Sequence, residues 1–229
     1  MMSISDNLQA IRHRIEQAAR ACGRDPAGIT LLAVSKTKPD ADIIAAHAAG
    51  QRAFGENYVQ EGCDKAQRLE AAGLELEWHF IGPIQSNKTR PVAGCFDWVH
   101  SIDREKIAAR LSEQRDPQRP PLNICLQVNV SGEDSKSGVE PDALPALADA
   151  VASLPRLMLR GLMAIPEPTD DVALQRRRFA HLRQLKDDLN ARGHRLDTLS
   201  MGMSQDLEAA IAEGATIVRV GTALFGARG

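Results

Sequence analysis

The chain alternates between short apolar runs and longer stretches in which apolar residues recur at helical spacing. Runs such as Ile29–Ser35 and Asn123–Val130 contain few polar residues, which is typical of strands buried on both faces. Between the runs, stretches such as Leu174–Ala191 place apolar residues three or four positions apart, which predicts amphipathic helices. The pattern therefore predicts an α/β protein whose strands and helices alternate along the chain.

The apolar runs are numerous enough to close a barrel. They are Ile29–Ser35, Arg52–Phe54, Glu77–Ile81, Trp98–Ser101, Asn123–Val130, Met158–Ala164, Thr198–Met201 and Thr216–Val220. Alternating strands and helices favour a parallel sheet, and eight such units can close into a (β/α)8 barrel of the TIM type. The sequence therefore predicts one barrel domain over residues 1–229. An open, doubly wound sheet is the alternative.

Charge and hydropathy exclude several classes of protein. The chain has 28 Lys and Arg against 30 Asp and Glu, a formal net charge of -2, so it has no field that would concentrate nucleic acid or anionic lipid. No run of about 18 apolar residues predicts a membrane span, and the N-terminal residues lack the apolar core of a signal peptide. We therefore expect a cytoplasmic protein with no nucleic-acid or membrane partner.

The cysteines and histidines give no sign of a metal site. The cysteines lie far apart, at Cys22, Cys63, Cys95 and Cys125, without a C-x-x-C pair. We interpret them as reduced thiols, in keeping with a cytoplasmic location. The six histidines show no ligand spacing, and the sequence therefore predicts no metal.

Polar residues follow several predicted strands, where (β/α) barrels carry their functional groups. Lys36 comes directly after the first strand. Partial desolvation at the barrel mouth would lower the pKa of its amine and make it available for a Schiff base. The alternative is a side chain that reaches solvent, a role that Lys38 could also fill.

The last two loops suggest a phosphate site. Barrels often bind phosphate between the loops after strands seven and eight. Here Ser200 and Ser204 precede a predicted helix over Gln205–Ala212, and Gly221 and Thr222 form a second turn. Glycine lets the backbone approach an anion closely, and the N–H groups at a helix start point towards it. The alternative is that Ser204 is only an N-cap and Gly221 only a turn residue.

Arg219 is a permanent charge in an apolar strand. It stands between Val218 and Val220, so it must find a partner or face the barrel interior. The alternative to a ligand-binding role is a structural ion pair with a core carboxylate.

Long motifs in the sequence resemble one family. They are LLAVSKTKP (31–39), FGENYVQE (54–61), WHFIGPIQSNK (78–88), VHSID (99–103), QVNVSGEDSKSG (127–138), RGLMAI (160–165) and LSMGMSQDLEAAIAEGATIVRVGTALFG (199–226). These runs resemble the pyridoxal phosphate homeostasis protein family over nearly the whole chain. The resemblance implies the fold of the alanine racemase N-terminal domain, a (β/α)8 barrel that carries pyridoxal 5′-phosphate (PLP).

The resemblance also implies roles for individual residues. Lys36 would hold PLP as a Schiff base, Arg219 would face the pyridine nitrogen, and Asn57 would lie near the ring. The implied phosphate cradle consists of Ser200, Ser204, Gly221 and Thr222. Lys136 would contact cofactor that enters or leaves, and its alternative is an ordinary loop lysine.

These roles favour a cofactor carrier over an enzyme. PLP enzymes that stabilise carbanions usually place an acid on the ring nitrogen, and an arginine there weakens the electron sink. Racemases of similar fold add a second base, a tyrosine from another domain, whereas this chain has one tyrosine, Tyr58. We therefore predict a monomer that buffers PLP and supports vitamin B6 and amino-acid/keto-acid homeostasis, with no catalytic residues and with PLP-dependent apoenzymes as potential recipients.

Two alternatives belong to a different class. One is a monomeric PLP-dependent amino-acid racemase of low activity. The other is a phosphate-binding barrel enzyme that does not use PLP.

Overall fold

The protein is a closed barrel of eight parallel strands in sequence order, seen in a computed structural model that describes residues 3–132 and 137–226. The strands are β1 (Thr30–Val34), β2 (Ala53–Glu56), β3 (Glu77–Phe80), β4 (Trp98–Ile102), β5 (Leu122–Gln127), β6 (Leu157–Met163), β7 (Thr198–Ser200) and β8 (Ile217–Val220). Pairing of β1 with β8 closes the barrel, with Leu32 opposite Arg219. The predicted (β/α)8 barrel is confirmed, and the open sheet is excluded.

Helices lie between the strands and cover the outside of the barrel. They are α1 (Ile4–Ala21), α2 (Asp40–Ala48), α3 (Val59–Ala71), α4 (Thr89–Cys95), α5 (Glu105–Gln114), α6 (Leu144–Ala152), α7 (Val172–Ala191), α8 (Leu207–Ala212) and α9 (Thr222–Phe225). In the part of the chain that the structure describes, none of them combines the length and apolarity that crossing a bilayer requires.

Side chains alternate between the two faces of each strand, as strand geometry requires. In β1, Leu32 packs inside the barrel, whereas Leu31 and Ala33 pack against the helices. The inner cluster is Leu32, Ala53, Ile81, Trp98, Cys125, Met163 and Ile217. Because both faces are buried, the strands contain nearly continuous apolar runs.

A disulfide joins two of the outer helices and corrects the interpretation of the cysteines. Cys63 of α3 and Cys95 of α4 are bonded, with their Cα atoms 5.3 Å apart and with a separation of 32 positions in the sequence. The expectation of four reduced thiols is therefore wrong for this pair, while Cys22 and Cys125 are free. The pairing depends on two neighbouring helices packing side by side, which sequence spacing does not reveal.

Candidate functional site

The C-terminal ends of the strands surround a cavity of about 600 Å³. Its size lies within the usual range for a small-molecule site. Six of the predicted site residues line its wall, namely Lys36, Asn57, Ser204, Arg219, Gly221 and Thr222. The tertiary structure therefore brings together residues from four separate segments of the chain.

A strained turn places Lys36 on this wall. Thr37, the next residue, has a φ of 63°, which is unusual for a β-branched residue. Its N–H donates a hydrogen bond of 2.6 Å to Glu61 Oε1 in α3. The turn directs the half-buried Lys36 towards the cavity, and the contact with Glu61 holds the strained conformation in place.

A buried cluster beneath this turn contacts the residues on both sides of Lys36. Lys65 of α3 donates to the Ser35 carbonyl at 2.7 Å, to Glu56 Oε1 at 2.9 Å and to Glu61 Oε1 at 2.6 Å. The Ser35 hydroxyl donates to Glu56 Oε1 at 2.7 Å. Burial raises the pKa of Glu56, and its contacts with Ser35 and Lys65 oppose that shift. We call Ser35, Glu56, Glu61 and Lys65 the Lys65 cluster.

Asn57 presents an unused acceptor at the cavity. Its Oδ1 atom is buried and has no hydrogen-bond partner among the described residues. The loop after β3 packs tightly against its backbone, because a Cβ added to Gly82 would lie 2.1 Å from the Asn57 carbonyl oxygen. Only glycine fits at position 82, and this close packing holds the Asn57 backbone at the cavity wall.

Arg219 faces the barrel interior at the base of the cavity and is almost fully buried. Its guanidinium donates to Ser200 Oγ at 2.8 Å and to the Ala164 carbonyl at 2.9 Å. Within residues 3–132 and 137–226, no carboxylate forms a salt bridge with it, so the core ion pair considered as an alternative is not found there. Burial lowers the pKa of Arg219 to about 10, which leaves the group cationic at neutral pH.

Ser200 lies below the cavity and is not part of its wall. It is fully buried, and its Oγ is bonded both to Arg219 and to His100 Nδ1, the latter at 2.7 Å. Side chains on β7 alternate, which turns Ser200 towards the barrel interior. Its hydroxyl already has two partners within the barrel, and its predicted place in a phosphate cradle stays a prediction.

The two predicted phosphate loops meet at the cavity wall. Helix α8 begins at Leu207 with Asp206 as its N-cap, so the alternative role of Ser204 as an N-cap is not found. Asp206 instead accepts from the Met203 N–H at 2.6 Å. In the second loop, a Cβ added to Gly221 would lie 3.2 Å from the Val34 carbonyl oxygen, so its backbone packs closely against β1.

Two histidines inside the barrel were not predicted to take part in the site. His79 Nδ1 lies 2.9 Å from His100 Nε2, and His79 Nε2 lies 2.7 Å from Glu77 Oε1. With the contacts of Ser200 and Arg219, these bonds form a continuous chain through the barrel, which we call the interior column: Glu77, His79, His100, Ser200 and Arg219. The signal that could have revealed it is a polar residue at an inward position of successive apolar strands.

Burial and neighbouring charges set the protonation states in this column. Burial, with smaller effects of His79 and Arg219, holds the pKa of His100 well below its ordinary value. The hydrogen bond from His79 lowers the pKa of Glu77. At neutral pH, His100 is therefore a neutral ring and Glu77 is a carboxylate.

Two other predicted or detected features do not belong to this site. Lys136, predicted to contact entering or leaving cofactor, lies outside the described residues. A groove of about 810 Å³ on the opposite, N-terminal side of the barrel includes Cys63, Cys95 and Glu77 in its wall. The smaller cavity is the candidate site, because its wall contains Lys36, Arg219 and Asn57.

Comparisons with known proteins agree with the fold. The family model "Alanine racemase, N-terminal domain" matches residues 7–229. A pyridoxal phosphate homeostasis protein of Pseudomonas aeruginosa is 66% identical over 228 residues, covering 100% of this chain and 97% of its own length. The protein of that name from Escherichia coli K12 is 56% identical over 232 residues, covering 100% and 98%. The solved structure of PipY from Synechococcus elongatus with PLP bound has a TM-score of 0.85 at 37% identity and covers 98% and 100% of the two chains.

Proposed function

This chain belongs to the pyridoxal phosphate homeostasis protein family, with the barrel of the alanine racemase N-terminal domain, and from that premise we propose that it binds PLP in the C-terminal cavity and carries or buffers it. The observation that supports this most strongly is the juxtaposition of Lys36 and Arg219 on one cavity wall. A relative at 37% identity over nearly the same length has been solved with PLP bound.

The residues of the cavity fit this cofactor. PLP supplies an aldehyde, which condenses with a lysine amine to form a C=N bond with release of water. Lys36 would provide the amine, and Arg219 would face the pyridine nitrogen from the base of the cavity. The unused Oδ1 of Asn57 would lie near the ring, where a ligand donor could satisfy it.

The phosphate group would be held by the two loops after β7 and β8. Ser204 and Thr222 offer hydroxyl groups at the wall, and Gly221 allows close approach to the backbone. For Ser200 we propose an indirect part instead, because its hydroxyl is bonded to Arg219 beneath the wall.

The proposed role involves little or no turnover. The ring nitrogen would face an arginine that remains cationic, which weakens the cofactor as an electron sink. Tyr58, the single tyrosine, precedes α3, is 52% exposed and does not line the cavity. It is therefore not placed to act as a second base at the site. The names of the homologues also refer to homeostasis and not to a reaction.

We further propose a monomeric, cytoplasmic carrier that passes PLP to PLP-dependent apoenzymes, with Lys136 contacting the cofactor during entry or exit. Two of the four cysteines form a disulfide, so the cysteines do not support the cytoplasmic location. The support for this part is the family membership and the balanced charge of the chain.

The test is the absorption spectrum of the protein purified with PLP, followed by borohydride reduction and mass mapping of the modified lysine. We expect a visible band that reduction abolishes, and an adduct on Lys36. Lys36→Ala should lose the band, while Lys38→Ala, the neighbouring amine, should keep it. An adduct mapped only to other lysines would overturn the assignment, and no band at all would favour a barrel enzyme without PLP.

The racemase alternative has its own assay. The purified protein is incubated with alanine and other amino acids in D₂O, and deuterium at Cα is followed by NMR. We expect exchange far slower than on the order of 1 s⁻¹, a typical enzymatic rate. Exchange at or above that rate would contradict the carrier role.

A further inference from the structure

The interior column links the arginine of the proposed cofactor site to the opposite side of the barrel. We propose that His79 and His100 are positioning residues that hold Arg219 through Ser200, and that one proton taken up at the Glu77 side reverses the column and weakens PLP binding. This inference rests on the proposed function, because it concerns how tightly the same site holds its cofactor.

When both histidines are neutral, the chemistry of the two ends fixes the direction of every hydrogen bond between them. A guanidinium only donates and a carboxylate only accepts. Ser200 therefore accepts from Arg219 and donates to His100 Nδ1. His100 Nε2–H then donates to His79 Nδ1, and His79 Nε2–H donates to Glu77. In this neutral state, each ring carries its proton on Nε2.

This direction strengthens the hold on Arg219. A hydroxyl that donates to a histidine becomes a better acceptor, since hydrogen bonds in a chain polarise one another. The Ser200 oxygen, which donates to His100, is therefore a stronger acceptor for the Arg219 guanidinium. Arg219 therefore has a well-oriented hydrogen-bond partner, and its positive charge is not neutralised by an ion pair with that partner.

Solvent reaches the column from the Glu77 side. The side chain of Glu77 is 49% exposed, whereas His79 is 1% exposed and His100 and Ser200 are fully buried. Arg219 at the other end is 4% exposed. A proton from solvent therefore enters beside Glu77, at the face of the barrel opposite the cavity.

The surrounding charges favour His79 as the group that takes up the proton. Glu77 is the carboxylate in contact with it, and Trp98 of β4 stacks on its ring at 5.3 Å. The ionisable groups near the rest of the column are Cys125 of β5, Arg160 of β6 with its partner Asp197, and Asp206 at the cavity. An imidazolium at position 79 has a counter-ion, whereas one at His100 would lie nearer Arg219 without one.

Uptake of one proton changes the donors along the whole column. His79 then carries protons on both nitrogens, and its Nδ1–H donates to His100 Nε2. The His100 proton must lie on Nδ1, where it donates to Ser200. The Ser200 oxygen now accepts from both His100 and Arg219, and its own O–H has lost His100 as an acceptor. The polarisation that favoured Arg219 is lost, and a second positive charge lies closer to it.

The tautomers can be measured directly without cofactor. The full chain with ¹⁵N-labelled histidine is followed by NMR from about pH 8 to about pH 5, the range in which histidines titrate. We expect His79 and His100 both to carry the proton on Nε2 at the upper end, and His100 to move it to Nδ1 as His79 becomes protonated. Rings that titrate independently, or His100 with its proton on Nδ1 at about pH 8, would overturn the column.

The effect on the site is measured by PLP titration at each pH. We expect binding to weaken by roughly three- to tenfold over the transition, the contribution of a neutral hydrogen bond. Glu77→Gln keeps an acceptor but removes the counter-ion, so it should move the transition to lower pH. Glu75→Gln, an exposed neighbour, is the matched control and should leave the transition unchanged.

The outcomes separate the two proposals. If the Glu77→Gln and Glu75→Gln variants have the same pH profile while both bind PLP, the inference fails and the proposed function stands. If no protein binds PLP at any pH, both fail. Because Glu77 lies at the exposed end of the column, Glu77→Gln is expected to fold.

Discussion

Two buried polar networks support the cavity, and they handle positive charge in opposite ways. The Lys65 cluster lies outside the barrel, between the strands and α3, and pairs one ammonium with Glu56 and Glu61. The interior column lies inside the barrel and connects Arg219 to a neutral hydroxyl and two histidines before it reaches a carboxylate. One network neutralises its cation locally, and the other leaves its cation available at the cavity.

This difference shows how one fold fixes a backbone and presents a charge at the same time. A compensated ion cluster gives little net stability, but removal of one partner is costly, so it holds geometry firmly. That suits the strained turn at Thr37 beside Lys36. A neutral hydrogen-bonded chain orients Arg219 without a carboxylate contact, so its field acts on a ligand in the cavity.

Of the substitutions considered, Lys65→Met should have the largest effect on stability. It leaves two carboxylates without their cation, so we expect a loss of about 3–5 kcal/mol in the free energy of unfolding. Urea denaturation measures the loss, and Lys106→Met, at an exposed position of α5, is the control. A change below about 1 kcal/mol would show that the cluster does not depend on Lys65.

Removal of the disulfide tests whether it stabilises α3, the helix that also carries Lys65. The double variant Cys63→Ser/Cys95→Ser should lose about 2–4 kcal/mol, because an open loop gains entropy in the unfolded chain. Thermal unfolding measures the effect, and reduction of the wild-type protein should reproduce it. Cys22→Ser removes an exposed free thiol and should change little. Equal melting temperatures with and without reductant would contradict a stabilising disulfide.

Ser200→Ala interrupts the interior column and leaves the Lys65 cluster intact. Arg219 and His100 each lose a buried partner, so we expect a loss of about 1–3 kcal/mol in unfolding free energy. PLP titration should also show weaker binding, because the guanidinium is less well oriented. Ser112→Ala, a buried serine of α5 away from the cavity, is the control for PLP binding. Unchanged affinity for Ser200→Ala would separate Ser200 from the site.

The pH dependence of stability gives the smallest expected effect. The pKa of His100 is depressed in the folded protein, so below about pH 6.5 the unfolded chain binds more protons than the native state. Stability is therefore constant above that value for this group and falls as the pH drops below it. We expect a loss of about 1 kcal/mol over one pH unit below about 6.5.

His100→Asn isolates that contribution. Glu56 and Asp206, whose pKa values are raised by burial, act with the opposite sign and gain native-state stability on acidification. Because both proteins contain Glu56 and Asp206, the difference between the wild-type and His100→Asn stability profiles removes the contribution of these two carboxyl groups. Identical slopes for the two proteins would show that His100 does not remain neutral in the fold.

Much of the architecture was predictable because it follows from local periodicity. Apolar runs buried on two faces gave the eight strands, and the positions of Lys36, Arg219 and Gly221 after or within those strands suggested the site. The location of Ser200 was more difficult to predict. Sequence position alone does not tell whether the side chain at a strand end lies on the cavity wall or beneath it.

The sequence alone determined the order of strands and helices and the residues at the strand ends, because each depends on a pattern within a few neighbouring positions. Only the tertiary structure decided the partners of the buried charges and thiols. Glu56 and Lys65 meet across a strand and a helix, Cys63 meets Cys95 between helices, and His100 meets Ser200 across the barrel. These contacts join residues that are separated in sequence and that meet only in the folded barrel. Their energy depends on distances and burial in the folded protein, which a local sequence pattern does not specify.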